Sequence, residues 1–362
     1  MNFYPSKTCN FNFEYKNKIN LGYVGCGEHS YRNILPALKY LPVELQAICD
    51  HSYKRAQIYS QSFGFKRAYD DLEKMLKKEY LDMVIVVTNS DEQGRPRYPI
   101  IASKAMKSGC HVWVEKPPAD SLEDINMIKK VSYDSGKFFM VGFKHCFFPT
   151  TVQAKKIMES KLFGSSSSIY SRYHTVLPSY SRRKSLINMR KFLDIVHPIS
   201  LITYLMGKVK RLFFFETFDE LGVTINFEFI SGSIGTLHLT GGQSKSCPPQ
   251  RTEIIGNGAN IIIENNSKLF YYPPTTEKEY GRSVSYFTDL KEGPRIWEPE
   301  FTQGQLYNNS LFLQGYVQEI NYFLNCIRKK RRPIIAGIEH AEHVTKIYQA
   351  FQNLSGRVIN IC

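Results

Sequence analysis

No run in this chain approaches the ~18–20 consecutive apolar residues that a bilayer-spanning helix needs, and the opening Met1–Pro5 lacks the charged segment and apolar core of a secretory leader. Neither a membrane protein nor an exported one is expected, and the cytoplasm is the expected location. Eight cysteines (Cys9, Cys26, Cys49, Cys110, Cys146, Cys247, Cys326 and Cys362) are scattered without a C-x-x-C pair. That spacing argues against a zinc site or a dense disulfide scaffold and fits reduced thiols, so no metal is expected. Acidic residues are the scarcer charge: 33 Asp and Glu against 47 Lys and Arg, a formal net charge of +14. Part of the excess sits in Arg182-Arg183-Lys184 and Arg328-Lys329-Lys330-Arg331-Arg332. Neither cluster has the interleaved aromatics on which single-stranded nucleic acid stacks. The second follows a helical pattern over 316–327, where cations complement the helix C-terminus, so nucleic acid is not an expected partner. A basic field still favours anionic ligands such as dinucleotides or phosphorylated sugars.

A length of 362 residues exceeds one typical compact core and suits two domains. After an aperiodic arm over 1–18, strand patterns at 19–24, 44–49, 83–87, 111–114 and 138–142 alternate with helical patterns near 31–39, 54–62, 71–78, 98–107 and 122–133. Met83-Val84-Ile85-Val86-Val87 is apolar throughout, the mark of a parallel strand buried on both faces. Such alternation predicts a doubly wound parallel sheet. Beyond a helix near 151–160 come long alternating runs at 169–174, 211–218, 224–230, 233–240 and 252–255, with one helix interposed over 194–206. These predict a large, mainly antiparallel open sheet. A polar loop over 273–309, helices at 312–327 and 338–354 and a short strand at 357–359 close the chain. The expected fold is α/β, with an N-terminal domain over 1–145 and a C-terminal α+β domain over 146–362. A sheet with one uncovered face usually seeks a partner, which predicts a homodimer or homotetramer.

Lys116, in Val114-Glu115-Lys116-Pro117-Pro118, stands at the C-terminal end of a parallel strand, where open α/β sheets bind ligands. Proline gives no ladder hydrogen bond and fixes its own φ, so the strand stops there and a stiff turn presents the Lys. A desolvated Lys near a cationic cofactor ring can have its pKa drawn toward roughly 7–8, useful for moving a proton; a plain strand-end Lys is the alternative. Gly25-x-Gly27 follows the first strand, where glycine lets the backbone approach a pyrophosphate at a helix N-terminus. Ser30 stands in for the third glycine of that fingerprint. Asp50 ends the second strand about 20 residues further on, the spacing of a ribose-binding carboxylate. It favours NAD over NADP, while His51, Lys54 and Arg55 keep NADP open; a helix N-cap is its other reading. Asp194-Ile195-Val196-His197 puts a carboxylate and an imidazole on one helix face, a general-base arrangement in which the carboxylate fixes the tautomer. Ahead of Pro198, Asp194 equally suits an N-cap.

Taken in order, the glycine turn, the acidic end of the second strand, Glu115-Lys116-Pro117 and Asp-x-x-His opening an antiparallel domain resemble the glucose–fructose oxidoreductase / inositol dehydrogenase (Gfo/Idh/MocA) family over almost the whole chain. Gly142-Phe143-Lys144-His145 through Phe148-Pro149 resembles its domain junction, Glu253 to Ala259 a later strand and turn, and Pro333 to Ile361 its closing helix and strand. The resemblance implies an N-terminal Rossmann domain that holds NAD through Gly25, Gly27, Glu28, His29, Asp50, Thr88, Asn89, Glu115 and Lys116. It implies a dehydrogenase moving hydride between the nicotinamide and a secondary hydroxyl of a sugar, a sugar derivative (nucleotide-sugars included) or a cyclitol. Lys116 would hydrogen-bond the reacting hydroxyl and relay its proton, with Pro117 shaping the turn through a cis peptide. His197 would be the general acid/base, and Asp194 would orient His197 or a substrate hydroxyl. Lys144, Arg172 and His174 join these three as substrate-binding candidates, with Tyr173 between the last two.

Three departures from the family pattern bear on the pocket. Many members place four positions between Asp and His, where the spacing here is three, as in one branch. Met189-Arg190-Lys191-Phe192 replaces the glycines often found before that Asp, and Thr88 to Arg97 is longer and more polar than usual. Two other outcomes on the same fold are a cofactor-binding sensor or regulator without turnover, and a redox-neutral elimination or glycoside cleavage with tightly held NAD.

Overall fold

Six parallel strands, β1 (Ile19–Val24), β2 (Val43–Cys49), β3 (Arg67–Tyr69), β4 (Met83–Val86), β5 (His111–Val114) and β6 (Phe139–Val141), form one sheet in the order β3-β2-β1-β4-β5-β6. The computed structural model describes residues 10–183, 185, 189, 192–274, 293–299 and 310–362. Half of the expected N-terminal arm, Lys184, Arg190, Lys191 and most of the expected polar loop lie outside the described residues.

All four residues of β4 are fully buried, because helices cover the sheet on both faces. Three of those helices, Tyr53–Phe63, Leu72–Lys78 and Leu122–Asp134, start where a side chain caps the first turn: Ser52 accepts from Arg55 N–H, Asp71 from Lys74 N–H, and Ser121 from Asp124 N–H. The strand order reverses between β1 and β4, so the crevice at their C-terminal ends is the place where such sheets take ligands.

The second sheet has nine strands: β7 (Ser168–Tyr173), β8 (Val209–Glu216), β9 (Gly222–Phe229), β10 (Ile234–Thr240), β11 (Gln250–Ile255), β12 (Asn260–Glu264), β13 (Lys268–Tyr272), β14 (Arg295–Trp297) and β15 (Ile359–Asn360), ordered β14-β13-β12-β11-β7-β10-β9-β8-β15. It is antiparallel except where β7 runs parallel to β10. The pleat sorts each strand into two faces. Val223, Ile225, Phe227 and Phe229 of β9 are buried, while Phe213 and Phe215 of β8, Tyr170 of β7 and Ile234 of β10 are exposed on the other side. Three strands go beyond the expected pattern. β12 and β13 form a hairpin closed by Asn265 and Asn266, both at positive φ (48° and 53°), a turn that asparagine tolerates. β14 falls inside the expected polar loop and pairs with β13, Leu269 opposite Trp297.

The helices Pro149–Met158 and Val196–Met206 pack on the buried face. The helix Ile338–Ala350 lies against both Val196–Met206 and Leu122–Asp134, and just before it Val141 N–H donates to the Ala336 carbonyl at 2.9 Å. The chain's last helix therefore closes the free edge of the first sheet.

Trp113 of β5 is fully buried and packs over Gly142, where a Cβ would come within 2.7 Å of its ring. Trp113→Ala removes the largest buried side chain of this sheet and should cost about 3–5 kcal/mol. The change is read as a fall in the urea midpoint of the parallel-sheet transition at constant slope.

Candidate active site

β1 ends in Gly25, whose φ of +103° and missing side chain are both required, since a Cβ there would sit 2.0 Å from the Val87 carbonyl oxygen. Gly27 faces open space, with nothing within 4 Å of a Cβ position, so phosphates can approach its backbone. Ser30 is fully buried, and its hydroxyl donates to the Gly25 carbonyl at 2.7 Å. It ties the turn to the following helix rather than loosening it. Cys26 N–H donates to Asp50 Oδ2 at 2.8 Å, while Asp50 Oδ1 accepts from Ser52 N–H at 3.0 Å and from Arg55 Nε at 3.1 Å. Asp50 thus pins the glycine turn to the end of β2 and shares its charge with Arg55. The buried Cys26 thiol is pushed up to about 12, by burial first and then by Asp50, which leaves it without thiolate character. Beyond β4, Thr88 has a buried Oγ1 without a partner among the described residues. Asn89 is exposed, and Glu28 turns outward to Arg32 at 2.6 Å. An open glycine backbone beside an unpaired hydroxyl at the point of strand reversal fits a dinucleotide.

Beside that crevice lies a cluster of charges. Glu115 is only 6% exposed; its Oε1 is hydrogen-bonded to His29 Nε2 and its Oε2 accepts from Lys116 N–H, both at 2.9 Å. Burial pushes its pKa up, but the His29 hydrogen bond and the charges of His29 and Lys116 outweigh that and hold it below the usual carboxylate range. The Lys116–Pro117 bond is cis. Lys116 Nζ donates to Asp194 Oδ1 at 2.6 Å, an ion pair between a side chain 20% exposed and one 61% exposed.

Asp194 sits on the 3-10 turn Leu193–Ile195 and His197 is the second residue of the helix Val196–Met206. The turn directs Asp194 to Lys116, whereas His197 Nδ1 is buried without a hydrogen-bond partner among the described residues. The carboxylate–imidazole pair expected from the spacing is therefore replaced by a carboxylate–ammonium pair. His197 lies flat instead on His145, ring centroids 4.3 Å apart and planes 11° apart. Burial, and after it the neighbouring His145, Lys116, Lys144 and His29, holds the His197 pKa well below the usual range.

Lys144 opens the turn Lys144–Phe147 and donates to Tyr316 Oη at 2.9 Å and Gln314 Oε1 at 3.0 Å. Burial lowers its pKa, opposed by Glu115 and Glu319. Glu319, on the helix Tyr316–Arg328, is fully buried with neither carboxyl oxygen hydrogen-bonded among the described residues. Burial first and Glu115 second raise its pKa well above the usual range, so it is a neutral acid.

The structure brings Gly25, Gly27, His29, Asp50, Thr88, Glu115, Lys116, Lys144, Asp194 and His197 to one end of the parallel sheet. Arg172 and His174 are not among them. The pleat of β7 turns Tyr173 inward, edge-on to His145 at 6.2 Å, and sends its two neighbours to the open face. There Arg172 donates to the Pro248 carbonyl (3.1 Å) and His174 Nδ1 contacts the Thr240 carbonyl (2.8 Å). Strand alternation could have separated these three before the fold was seen. Tyr316 and Glu319 escaped the sequence reading because an aromatic or acidic residue within an apolar helical pattern carries no mark of which side it buries, and His145, on the turn Lys144–Phe147, was read only as part of the domain junction.

Residues 19–143 match the model of an oxidoreductase family with an NAD-binding Rossmann fold, GFO_IDH_MocA. The chain is 22% identical over 341 residues, 90% of each chain, to a scyllo-inositol 2-dehydrogenase (NAD(+)) of Bacillus subtilis strain 168. Among solved structures it superposes on a dehydrogenase from Chromobacterium violaceum (TM-score 0.76, 21% identity, 93% of this chain and 94% of that one). It also superposes on a levoglucosan dehydrogenase solved with NADH and L-sorbose (TM-score 0.76, 17% identity, 96% and 99%). At these identities the structural likeness establishes the shared fold.

A carboxyl whose folded pKa lies above its unfolded value stabilises the fold fully below the unfolded pKa and loses that contribution as pH rises through the folded one. Glu319→Gln keeps the shape and removes the titration. The variant should lose less stability than the parent between pH 6 and pH 9 in thermal melts; parallel decline of the two would show that Glu319 is not held neutral.

Proposed function

From a chain whose residues 19–143 belong to the Gfo/Idh/MocA oxidoreductases, we propose an NAD-dependent dehydrogenase that oxidises a secondary hydroxyl of a sugar, a sugar derivative (nucleotide-linked ones included) or a cyclitol, or reduces the matching ketone. The observation that carries this reading is the Lys116–Asp194 ion pair at 2.6 Å beside His197, at the mouth of a crevice built for a dinucleotide. When bound, the nicotinamide supplies the acceptor or donor of hydride. Gly25 and Gly27 receive the pyrophosphate on open backbone, Asp50 faces the ribose end, and Thr88 and Glu115 line the path to the reacting ring.

Hydride leaves a carbinol carbon only as its oxygen loses a proton, so a proton acceptor must lie within hydrogen-bond reach of that oxygen. Lys116 takes that role as the neutral amine, once its own ammonium proton has passed by way of Asp194 to solvent. Asp194 holds its ammonium form in place and, being largely exposed, opens a way to solvent for the proton. His197 and Lys144 contact the oxygen and an adjacent hydroxyl, with Tyr173 packed edge-on to His145 and Tyr316 hydrogen-bonded to Lys144 behind them. A sensor without turnover has no need for this ion pair, which weighs against that alternative.

The exposed face of the second sheet carries Phe213, Phe215 and Ile234, and we assign it to a second copy of this chain in a homodimer or homotetramer. Light scattering at working concentration should report a multiple of 41.9 kDa; a monomer would reject the assignment. The activity itself is read as NADH formation from NAD against a panel of sugars, nucleotide-sugars and cyclitols. Lys116→Ala should lower kcat by about 10²–10⁴-fold with NAD affinity largely retained in a fluorescence titration. Near-normal turnover in that variant would remove Lys116 from the chemistry.

A further inference from the structure

Two buried imidazoles stacked face to face form an arrangement that the proton path described above does not use. His145 and His197 come from different elements, the turn Lys144–Phe147 and the helix Val196–Met206, and both are almost fully enclosed at 3% and 7% exposure. Their rings are 4.3 Å apart and nearly parallel. The Nδ1 atom of each is buried without a hydrogen-bond partner among the described residues.

A buried N–H without an acceptor is the costlier of the two ways to leave a ring nitrogen unpaired. The bare nitrogen of each ring is therefore Nδ1, and the proton of His197 sits on Nε2, which is left to meet the substrate oxygen. A ring nitrogen already carrying a proton cannot accept another; it can donate a hydrogen bond. A charged His197 would have to form against the face of a second imidazole. The ionisable groups around it are His145 and Lys144 from the same turn, Lys116 at the end of β5 and His29 on the first helix, each of which disfavours a positive charge there. Asp194, three residues earlier, gives its carboxylate to Lys116, and Tyr173 of β7 lies edge-on to His145.

We propose that His145 is a positioning residue that, by stacking on His197, fixes it as a neutral Nε2–H donor to the substrate oxygen, leaving proton transfer to Lys116. This rests on the dehydrogenase reading given above. In the oxidative direction the carbinol carbon gives up hydride to the nicotinamide, the O–H bond breaks, and its proton goes to the Lys116 amine to give the ammonium paired with Asp194. The Nε2–H of His197 holds the developing carbonyl oxygen throughout and keeps its own proton.

The test is a long-range ¹H–¹⁵N NMR titration of the histidine rings in the full-length protein without cofactor, between pH 5.5 and 8, with assignments from His145→Asn and His197→Asn. His197 should show the neutral Nε2–H pattern across the range. An Nδ1–H pattern, or an imidazolium at pH 7, would overturn the proposal. In His145→Phe a flat ring still covers His197 but carries no charge and offers a π face to a cation, so His197 should gain a proton at a pH about one unit higher. In the same variant the acidic limb of kcat/KM should move up with it. If His145→Phe does not fold, as judged by circular dichroism, His145→Leu takes its place; an unshifted His197 titration in the folded variant would overturn the stacking role. The ring titration needs no turnover. Absence of NADH formation on every panel member alongside the expected NMR pattern would remove the dehydrogenase reading, whereas turnover with a charged His197 would remove only this one.

Discussion

The contact between Lys116 and Asp194 depends on nearly everything else in the molecule. The two residues are 78 apart in sequence and arrive from different sheets. One stands at the end of β5 on a turn shaped by prolines, the other on a single 3-10 turn ahead of a helix that packs on the second sheet. A charge pair of this kind, half-buried on the lysine side, is sensitive to placement, because its gain falls quickly with distance while its desolvation cost does not. The two sheets and the helix spanning them serve to keep that distance fixed.

Behind the pair lies a graded set of charges. Glu115 is held below the usual carboxylate range by its hydrogen bond to His29 and by the charges of His29 and Lys116, whereas burial first and Glu115 second raise the pKa of Glu319, whose carboxyl has no hydrogen bond among the described residues. Lys144 lies between them, tied to Tyr316 and Gln314. Two buried carboxyl groups in opposite protonation states, separated by burial and partners rather than by residue type, are a common basis for a site that handles protons.

Much of the first sheet was legible in the residues. The apolar run of β4, the glycine turn after β1 and the Glu-Lys-Pro stop after β5 each specify a local geometry that tertiary packing has no reason to override. The second sheet was read less completely. β12 and β13 are short and end in an Asn-Asn turn, a signal weaker than Asn-Gly, and β14 exists only because β13 offers it an edge. In the site, the glycine turn, Asp50 and Lys116 were readable from their position at strand ends. The partner of Asp194 was not: residue spacing on a helix places it near His197, but the segment is a tighter turn that swings the carboxylate toward the first sheet. The stacked histidines required the fold, since one lies on a turn before the second sheet and the other on a helix between its first two strands.

The seam formed by the last helix has a consequence for biosynthesis. The edge strand β6 hydrogen-bonds to Ala336, and the covering helix begins at Ile338. A ribosome emitting this chain releases all six strands of the parallel sheet long before the residues that seal its edge. For most of synthesis that edge is an open hydrogen-bonding template. Until its C-terminus emerges, β6 is therefore an unsealed edge of the parallel sheet, and the N-terminal half cannot close that edge by itself.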